Sequence, residues 1–163
     1  MNELRFHKFD GTHIENVGEY VKAWVKEHLY CTITIGCDSQ EHARYIQYAV
    51  TICLHNKDKY DIGHGAHVIV AEFKDVNRNM KSDIYTKLWG EAELAIQVAK
   101  SIEVVAIEFN KKIDIHLDYN SDESKYSNVL YAAGIGYAES MGFRAHGKPF
   151  AWAATHAADK LCR

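Results

Sequence analysis

Residues 31–40 read Cys-Thr-Ile-Thr-Ile-Gly-Cys-Asp-Ser-Gln. The first seven are β-branched, small or apolar, which predicts a buried strand over 31–37. Asp38 follows directly at the carboxyl end of this strand. A single acid after a strand is most often a turn former. Ligands nevertheless bind at the carboxyl ends of strands in α/β sheets, so Asp38 is a candidate site residue.

Helices and strands alternate along the rest of the chain. Upstream, apolar residues recur at spacings of three and four, which predicts an amphipathic helix over 14–29. Downstream, the apolar patterns predict strands over 45–54, 67–73, 112–118 and 143–146, and helices over 83–102, 125–141 and 151–161. Ser82 or Asp83 is the predicted N-cap of the first of these helices. This order indicates an α/β layer fold, and 163 residues fit one domain with its own core.

Two further acids sit where a site at this edge of the sheet would need them. Asp118 ends the predicted strand over 112–118, as Asp38 ends the first strand. Asp159 lies three residues after His156, which places both side chains on one face of the last predicted helix. Taken by itself, Asp159 is an ordinary exposed helix residue, so its candidacy depends on the other acids.

The long predicted helix over 83–102 offers Glu91 and Glu93, which lie about 200° apart around the axis and cannot share a face. Glu91 borders the apolar stripe of the helix, one turn from Leu88 and Ala95, whereas Glu93 points toward solvent. Helical geometry therefore favours Glu91 as the site residue. The alternative is that both are solvated charges on the helix surface.

The charge balance bears on the partners of the chain. There are 19 Lys and Arg against 22 Asp and Glu, a net charge of −3. Phosphate neutralisation supplies most of the affinity of proteins that coat nucleic acid, so this balance argues against high-affinity, non-specific binding. No run of about 18 apolar residues predicts a membrane span. The first residues do not form a signal peptide, and four cysteines without a CxxC pair favour buried thiols in a reducing cytoplasm.

The order of strand and Asp38, two further strands, helix and Glu91, strand and Asp118, and helical Asp159 resembles the ribonuclease H-like superfamily. The segment Ala158-Asp-Lys-Leu161 is similar to the Ala-Asp-x-Leu segment of ribonuclease H proper. The segment Ile35-Gly-Cys-Asp-Ser-Gln40 more narrowly resembles the bacterial YkuK-type ribonuclease H-like family. The resemblance covers 31–163. It implies an α/β fold with a mixed five-stranded sheet flanked by helices, in a single domain over 1–163 with 1–30 as an N-terminal helical extension.

The resemblance also implies a metal site and its ligands. Clustered carboxylates suit the hard ions Mg²⁺ and Mn²⁺, and two such ions are expected. Asp38 is expected to bridge both ions, Glu91 and Asp118 to bind one of them, and Asp159 to bind the other. His146 falls where such enzymes carry a mobile loop with a histidine. His146 or His156 is expected to transfer protons or assist product release, because imidazole exchanges protons near neutral pH.

The reaction that follows from the resemblance is hydrolysis of phosphodiester bonds in RNA, or in an RNA–DNA hybrid. Two alternatives stay open: a non-catalytic nucleic-acid-binding or interaction module of the same fold, and a phosphoesterase that acts on small nucleotides. Tyrosines and lysines near the acids offer base stacking and phosphate contacts: Tyr119, Tyr126, Tyr131, Lys125 and Lys148. The simpler interpretation is that these tyrosines pack a helix against the sheet.

Overall fold

A computed structural model of the chain describes residues 4–76, 84–121 and 128–159. Its strands are β1 (Phe6–Lys8), β2 (His13–Ile14), β3 (Thr32–His42), β4 (Tyr45–Lys57), β5 (Gly63–Asp75), β6 (Ile113–Asn120) and β7 (Arg144–Lys148). Its helices are α1 (Val17–Glu27), α2 (Ile84–Glu108), α3 (Asn128–Ser140) and a C-terminal π-helix (Ala153–Ala158). Every predicted element is present, although the bounds differ.

All seven strands belong to one mixed sheet in the order β2-β1-β5-β4-β3-β6-β7. β3, β4 and β5 form an antiparallel meander, and β3 pairs in parallel with β6, which pairs in parallel with β7. These five strands are the predicted mixed five-stranded sheet. The prediction of five strands in total is wrong, because β1 and β2 extend the sheet beyond β5. Strands of three and two residues are too short to show an alternating pattern in the sequence.

The segment before residue 30 is therefore two short strands and a helix rather than a purely helical extension. α1 lies within the predicted 14–29, and its start is fixed by Asn16, whose Oδ1 accepts a hydrogen bond from the Glu19 backbone N–H at 3.0 Å. Val21 and Val25 bury the apolar face of α1. The predicted N-cap of α2, Ser82 or Asp83, lies outside the described residues.

The strand that carries Asp38 is longer than predicted. β3 pairs with β4 as far as His42 opposite Tyr45, so Asp38 lies inside β3 and not at its tip. The parallel pairing of β3 with β6 ends earlier, at Cys37 opposite Leu117. The prediction that Asp38 ends its strand is therefore wrong, and Asp38 is instead the first residue after the parallel pairing with β6.

The two faces of the sheet are covered differently. One face carries the fully buried apolar side chains Ile33, Ile35, Ile52, Leu54 and Ile115, and α2 packs over β3 and β6 on that side. Removal of these side chains from water is the main term that holds the helices on the sheet. Gly36 faces the other way, and a Cβ on it would lie 2.4 Å from the Ala153 carbonyl carbon. The C-terminal π-helix can lie against β3 because position 36 has no side chain.

The predicted helix over 151–161 takes an unusual form. The Asp159 backbone N–H donates to the Ala154 carbonyl oxygen five residues earlier, which is the hydrogen bond of a π-helix. Ala153, Ala154 and Ala158 are its buried residues. In the described ranges, no helix is both long enough and apolar enough to cross a membrane.

Candidate active site

Asp38 and Asp118 lie side by side on neighbouring strands. Cys37 of β3 is opposite Leu117 of β6 in the parallel ladder, and the next residue on each strand is the acid. The prediction that these two strands are neighbours is confirmed. Side chains alternate between the faces of a sheet, so Asp38 is on the face of Gly36, where the C-terminal π-helix lies.

The π-helix brings the third acid to this position. Asp159 is the C-terminal cap of the π-helix. Its backbone N–H donates to the Ala154 carbonyl oxygen, which fixes the position of the Asp159 backbone. The charges of Asp118 and Asp159 both act on the carboxyl of Asp38 and raise its pKa. Three acids that are separated by 80 and 41 residues in the sequence are thus electrostatic neighbours in the fold.

Glu91 approaches β3 from α2, on the face of the sheet opposite Asp38, and its carboxyl is close enough to feel the charges of Asp38 and Asp118. It is 1% exposed, and its Oε1 accepts a hydrogen bond from Ser39 Oγ at 2.5 Å. Ser39 follows Asp38 directly, so this bond ties the α2 acid to the strand that carries the first one. Glu93 is exposed. The prediction from helical geometry that Glu91, and not Glu93, faces inward is confirmed.

Burial and mutual repulsion shape the protonation of these acids. Burial is the main cause that raises the pKa of Asp38 to about 6, and the charges of Asp118 and Asp159 add to it. Burial also raises the pKa of Glu91 well above its usual value, and the charges of Asp38 and Asp118 act in the same direction. The hydrogen bond from Ser39 and the charge of Lys87 oppose the shift of Glu91. Perturbed carboxyls of this kind are typical of functional sites.

Two lysines occupy the surroundings of the four acids. Lys87 Nζ lies 3.3 Å from the Ser39 carbonyl oxygen, one helical turn before Glu91. Lys148 Nζ lies 2.7 Å from Asp118 Oδ1. Over the described part of the chain, no three His, Cys, Asp or Glu side chains already surround a single point as metal ligands. Glu91 and Asp118 are instead engaged by Ser39 and Lys148.

The two predicted histidines lie in different surroundings. His146 belongs to β7, opposite His116 of β6, and its Nε2 is 3.6 Å from Asp114 Oδ1. Asp114 precedes Asp118 by four strand residues, or about 13 Å. His146 is therefore part of a strand and pairs toward Asp114, which differs from the expected mobile loop. His156 is exposed and lines a groove beside Asp118.

That groove is an open depression of about 450 Å³, lined by Asn120, Ser121, Lys148, Pro149, Thr155 and His156. Two of the tyrosines considered for base stacking can be located. Tyr119 is fully buried, with its hydroxyl donating to the Leu88 carbonyl oxygen, and Tyr131 packs against Gly147. The packing interpretation is confirmed for Tyr119. Tyr126 and Lys125 lie outside the described residues.

Several site residues were missed at the level of sequence. His116 is 5% exposed, and its Nδ1 accepts a hydrogen bond from the Ala153 backbone N–H at 3.2 Å, which anchors the π-helix to β6. Burial is the main cause that lowers the pKa of His116 to about 4. The sequence pattern could have identified His116 as a site residue, because it lies two residues before Asp118 on the polar face of β6. The partners Ser39 and Lys87 gave no such signal, since their contacts depend on how α2 meets β3.

Comparison with family models gives a match to the family described as Ribonuclease H-like, over residues 13–163. The match includes every acid of the cluster and nearly the whole chain. Comparison with curated proteins and with solved structures gives no match.

Proposed function

The chain belongs to the ribonuclease H-like family, and from this premise we propose that it is a metal-dependent nuclease that hydrolyses phosphodiester bonds in RNA or in an RNA–DNA hybrid. The observation that carries the proposal is the electrostatic coupling among Asp38, Glu91, Asp118 and Asp159. They come from β3, α2, β6 and the end of the π-helix. The charges of Asp118 and Asp159 raise the pKa of Asp38, and the charges of Asp38 and Asp118 raise the pKa of Glu91. Acidic side chains that are merely solvated at the surface are expected to lie apart, because their negative charges repel one another.

The donor set fits a divalent ion with oxygen ligands. Glu91 Oε2 is a buried atom to which no described group donates a hydrogen bond. A buried carboxylate oxygen without a partner costs free energy, and a cation is the partner that suits it. All four side chains supply oxygen, which favours Mg²⁺ or Mn²⁺ over softer metals. Asp38, Glu91, Asp118 and Asp159 would hold the ions.

The chemistry supplied by two divalent ions at such a site is stabilisation of the attacking and leaving oxygens of an in-line displacement. The chain's own residues then have separate roles. Ser39 orients Glu91 by its hydrogen bond, and the Lys87 ammonium offsets part of the negative charge of Asp38 and Glu91. The C-terminal π-helix holds Asp159 beside Asp38. The ring nitrogens of His156, exposed in the groove, are the candidates for giving a proton to the leaving oxygen.

Cleavage of labelled RNA–DNA hybrid, duplex RNA, duplex DNA and single strands tests the proposal. We expect cleavage that requires Mg²⁺ or Mn²⁺, stops with a chelator, and is absent from an Asp38→Asn, Asp118→Asn double variant. Glu93→Gln is the matched control, since Glu93 is exposed on the same helix as Glu91. Activity that survives in the double variant would exclude the carboxylate site as its origin.

The net charge of −3 gives a specific reason to include small substrates. A chain without a surplus of basic residues has little long-range attraction for a polyanion. The same panel therefore includes mononucleotides and cyclic nucleotides. Hydrolysis of these, with intact polymers, would assign the site to a small-nucleotide phosphoesterase.

A non-catalytic interaction module is the second candidate function. It is favoured by the fact that, among the described residues, no three ligands already surround one point. Metal binding discriminates the two candidates, because a module of this kind needs no divalent ion. Absence of Mn²⁺ binding at millimolar concentration would support the module.

A further inference from the structure

The pair of Lys148 and Asp118 joins the acid cluster to the groove. Lys148 is the last residue of β7, and its Nζ lies 2.7 Å from Asp118 Oδ1. Asp118 Oδ1 is a buried atom, and no described group meets the geometry of a hydrogen bond to it. The Lys148 ammonium and the Asp118 carboxylate thus form an ion pair that has the distance of a hydrogen bond but not its angles.

A second ion pair on the same two strands is built differently. Arg144 binds Asp114 with both Nε and Nη2, at 2.6 and 2.8 Å from the two carboxylate oxygens. A bidentate guanidinium is fixed in direction, whereas an ammonium on four methylenes is a mobile point charge. Strands β6 and β7 thus carry one fixed pair and one pair whose cation can leave without disturbing the backbone.

The Lys148 side chain also has space to move into the groove. It is 39% exposed and lines the groove of about 450 Å³. The other lining residues include the hydroxyl of Ser121, the amide of Asn120 and the imidazole of His156. These groups, with an ammonium among them, match the oxygens of a phosphodiester.

We infer that the Lys148 ammonium has two positions, one beside Asp118 and one in the groove, and that its movement between them couples metal binding to substrate binding. In the metal-free protein the ammonium neutralises Asp118. A divalent ion held by the carboxylates would compete with the ammonium for Asp118, and Lys148 would then turn into the groove, where it can bind a phosphate of the nucleic-acid strand. The inference rests on the proposed metal site. It follows that metal ions and phosphodiester strengthen each other's binding.

Calorimetric titration of Mn²⁺ into the metal-free wild type, Lys148→Met and Lys57→Met tests whether Lys148 competes with the metal ion for Asp118. Lys57 is the matched control, because its Nζ also lies 2.7 Å from an acid, Asp61, four residues along the chain. We expect Lys148→Met to bind Mn²⁺ more tightly than the wild type by roughly 2- to 5-fold, as removal of a partly exposed competing ion pair predicts. Lys57→Met is expected to match the wild type. Lys148→Gln serves as a second variant with a polar side chain.

Fluorescence anisotropy of a labelled phosphorothioate RNA strand, which resists cleavage, tests whether Lys148 binds a phosphate of the strand when Mn²⁺ is present. We expect Mn²⁺ to tighten binding to the wild type and to have a smaller effect on Lys148→Met. The slope of log K against log salt should fall by about 1 in that variant. Equal effects of Mn²⁺ on both proteins would overturn the coupling.

The two failures are distinguishable. If the wild type binds no Mn²⁺, the proposed function fails and the coupling with it. If the wild type binds Mn²⁺ and Lys148→Met binds it with the same Kd, the inference is overturned while the metal site stands.

Discussion

Glu91 is a buried acid whose position is unfavourable for the stability of the metal-free protein. It is 1% exposed, one of its oxygens accepts from Ser39, and the other has no described hydrogen-bond partner. Ionisation of such a group is costly, which is why burial raises its pKa. A residue of this kind is retained where a ligand completes it.

We predict that Glu91→Gln leaves the metal-free protein as stable as the wild type, or more stable, because the amide oxygen can still accept from Ser39. Mn²⁺ at 100 times its Kd should stabilise the wild type by about 2.7 kcal/mol and the variant hardly at all. Thermal unfolding with and without Mn²⁺ measures both effects. Glu93→Gln should behave as the wild type does, and an equal Mn²⁺ effect on Glu91→Gln would remove Glu91 from the site.

Asp38 predicts how the stability of the metal-free protein changes with pH. Its pKa is about 6 in the folded chain and 3.8 without the fold, so between these values the folded chain holds a proton that the unfolded chain has lost. The free energy of unfolding must therefore fall as pH rises from about 4 to about 6, by on the order of 2 kcal/mol from this residue.

Asp38→Asn removes this part of the decline, because an amide does not titrate there. Urea unfolding in chelator from about pH 4 to about pH 7 is the measurement. We expect the variant to exceed the wild type in stability at neutral pH and to approach it near pH 4. If the free energy of unfolding depends on pH in the same way for both proteins, burial and the acidic neighbours do not raise the pKa of Asp38.

At the scale of elements, the contact between β3 and the C-terminal π-helix positions Asp159. It depends on Gly36, where a Cβ would lie 2.4 Å from the Ala153 carbonyl carbon, and on His116, which accepts from the Ala153 N–H. Backbone cannot yield to a new methyl group as a flexible side chain does. The acid from the chain's last described residues is thus held by two residues far from it in sequence.

We predict that Gly36→Ala destabilises the protein by about 1–3 kcal/mol and weakens Mn²⁺ binding, because Ala153 must move and Asp159 moves with it. Gly136→Ala is the control. It lies within α3 with no atom within 4 Å of an added Cβ, so it should stabilise by about 0.5–1 kcal/mol and leave Mn²⁺ binding unchanged. Unimpaired binding in Gly36→Ala would show that the π-helix does not position a ligand.

The elements also show what the sequence could predict. Long strands and helices with clear periodicity were found in the right order, and Glu91 was separated from Glu93, because these inferences need only local geometry. The two-residue strand His13–Ile14, the extension of β3 beyond Asp38 and the π-helical form of Ala153–Ala158 were missed. Each of these depends on a neighbour that the local sequence does not encode: β1, β4 and the space over Gly36.

At the scale of the molecule, the sheet brings the acids together and the net charge limits what else the surface can bind. The order β5-β4-β3-β6-β7 places β3 and β6 side by side, with Asp38 and Asp118 at matching positions directly after their parallel pairing ends. With 19 basic and 22 acidic residues, the chain has no overall attraction for a polyanion. If the proposed function holds, affinity for nucleic acid must come from the site itself.

This balance predicts a shallow salt dependence. The slope of log K against log salt for a labelled RNA strand with Mn²⁺ should be about 1 to 2 in magnitude, the value for one or two phosphate contacts, and binding should be weak in chelator. Fluorescence anisotropy at several salt concentrations provides the slope. A slope near that of proteins with six or more contacts would reveal a basic face that the net charge conceals.

The central claim is that four acids from four parts of the fold form one site for divalent ions. Calorimetric titration of Mn²⁺ into the wild type and into the Asp38→Asn, Asp118→Asn double variant tests it most directly, with circular dichroism to show that both proteins are folded. We predict saturable binding to the wild type and none to the variant. Equal binding to both, or no binding to either at millimolar Mn²⁺, would contradict it.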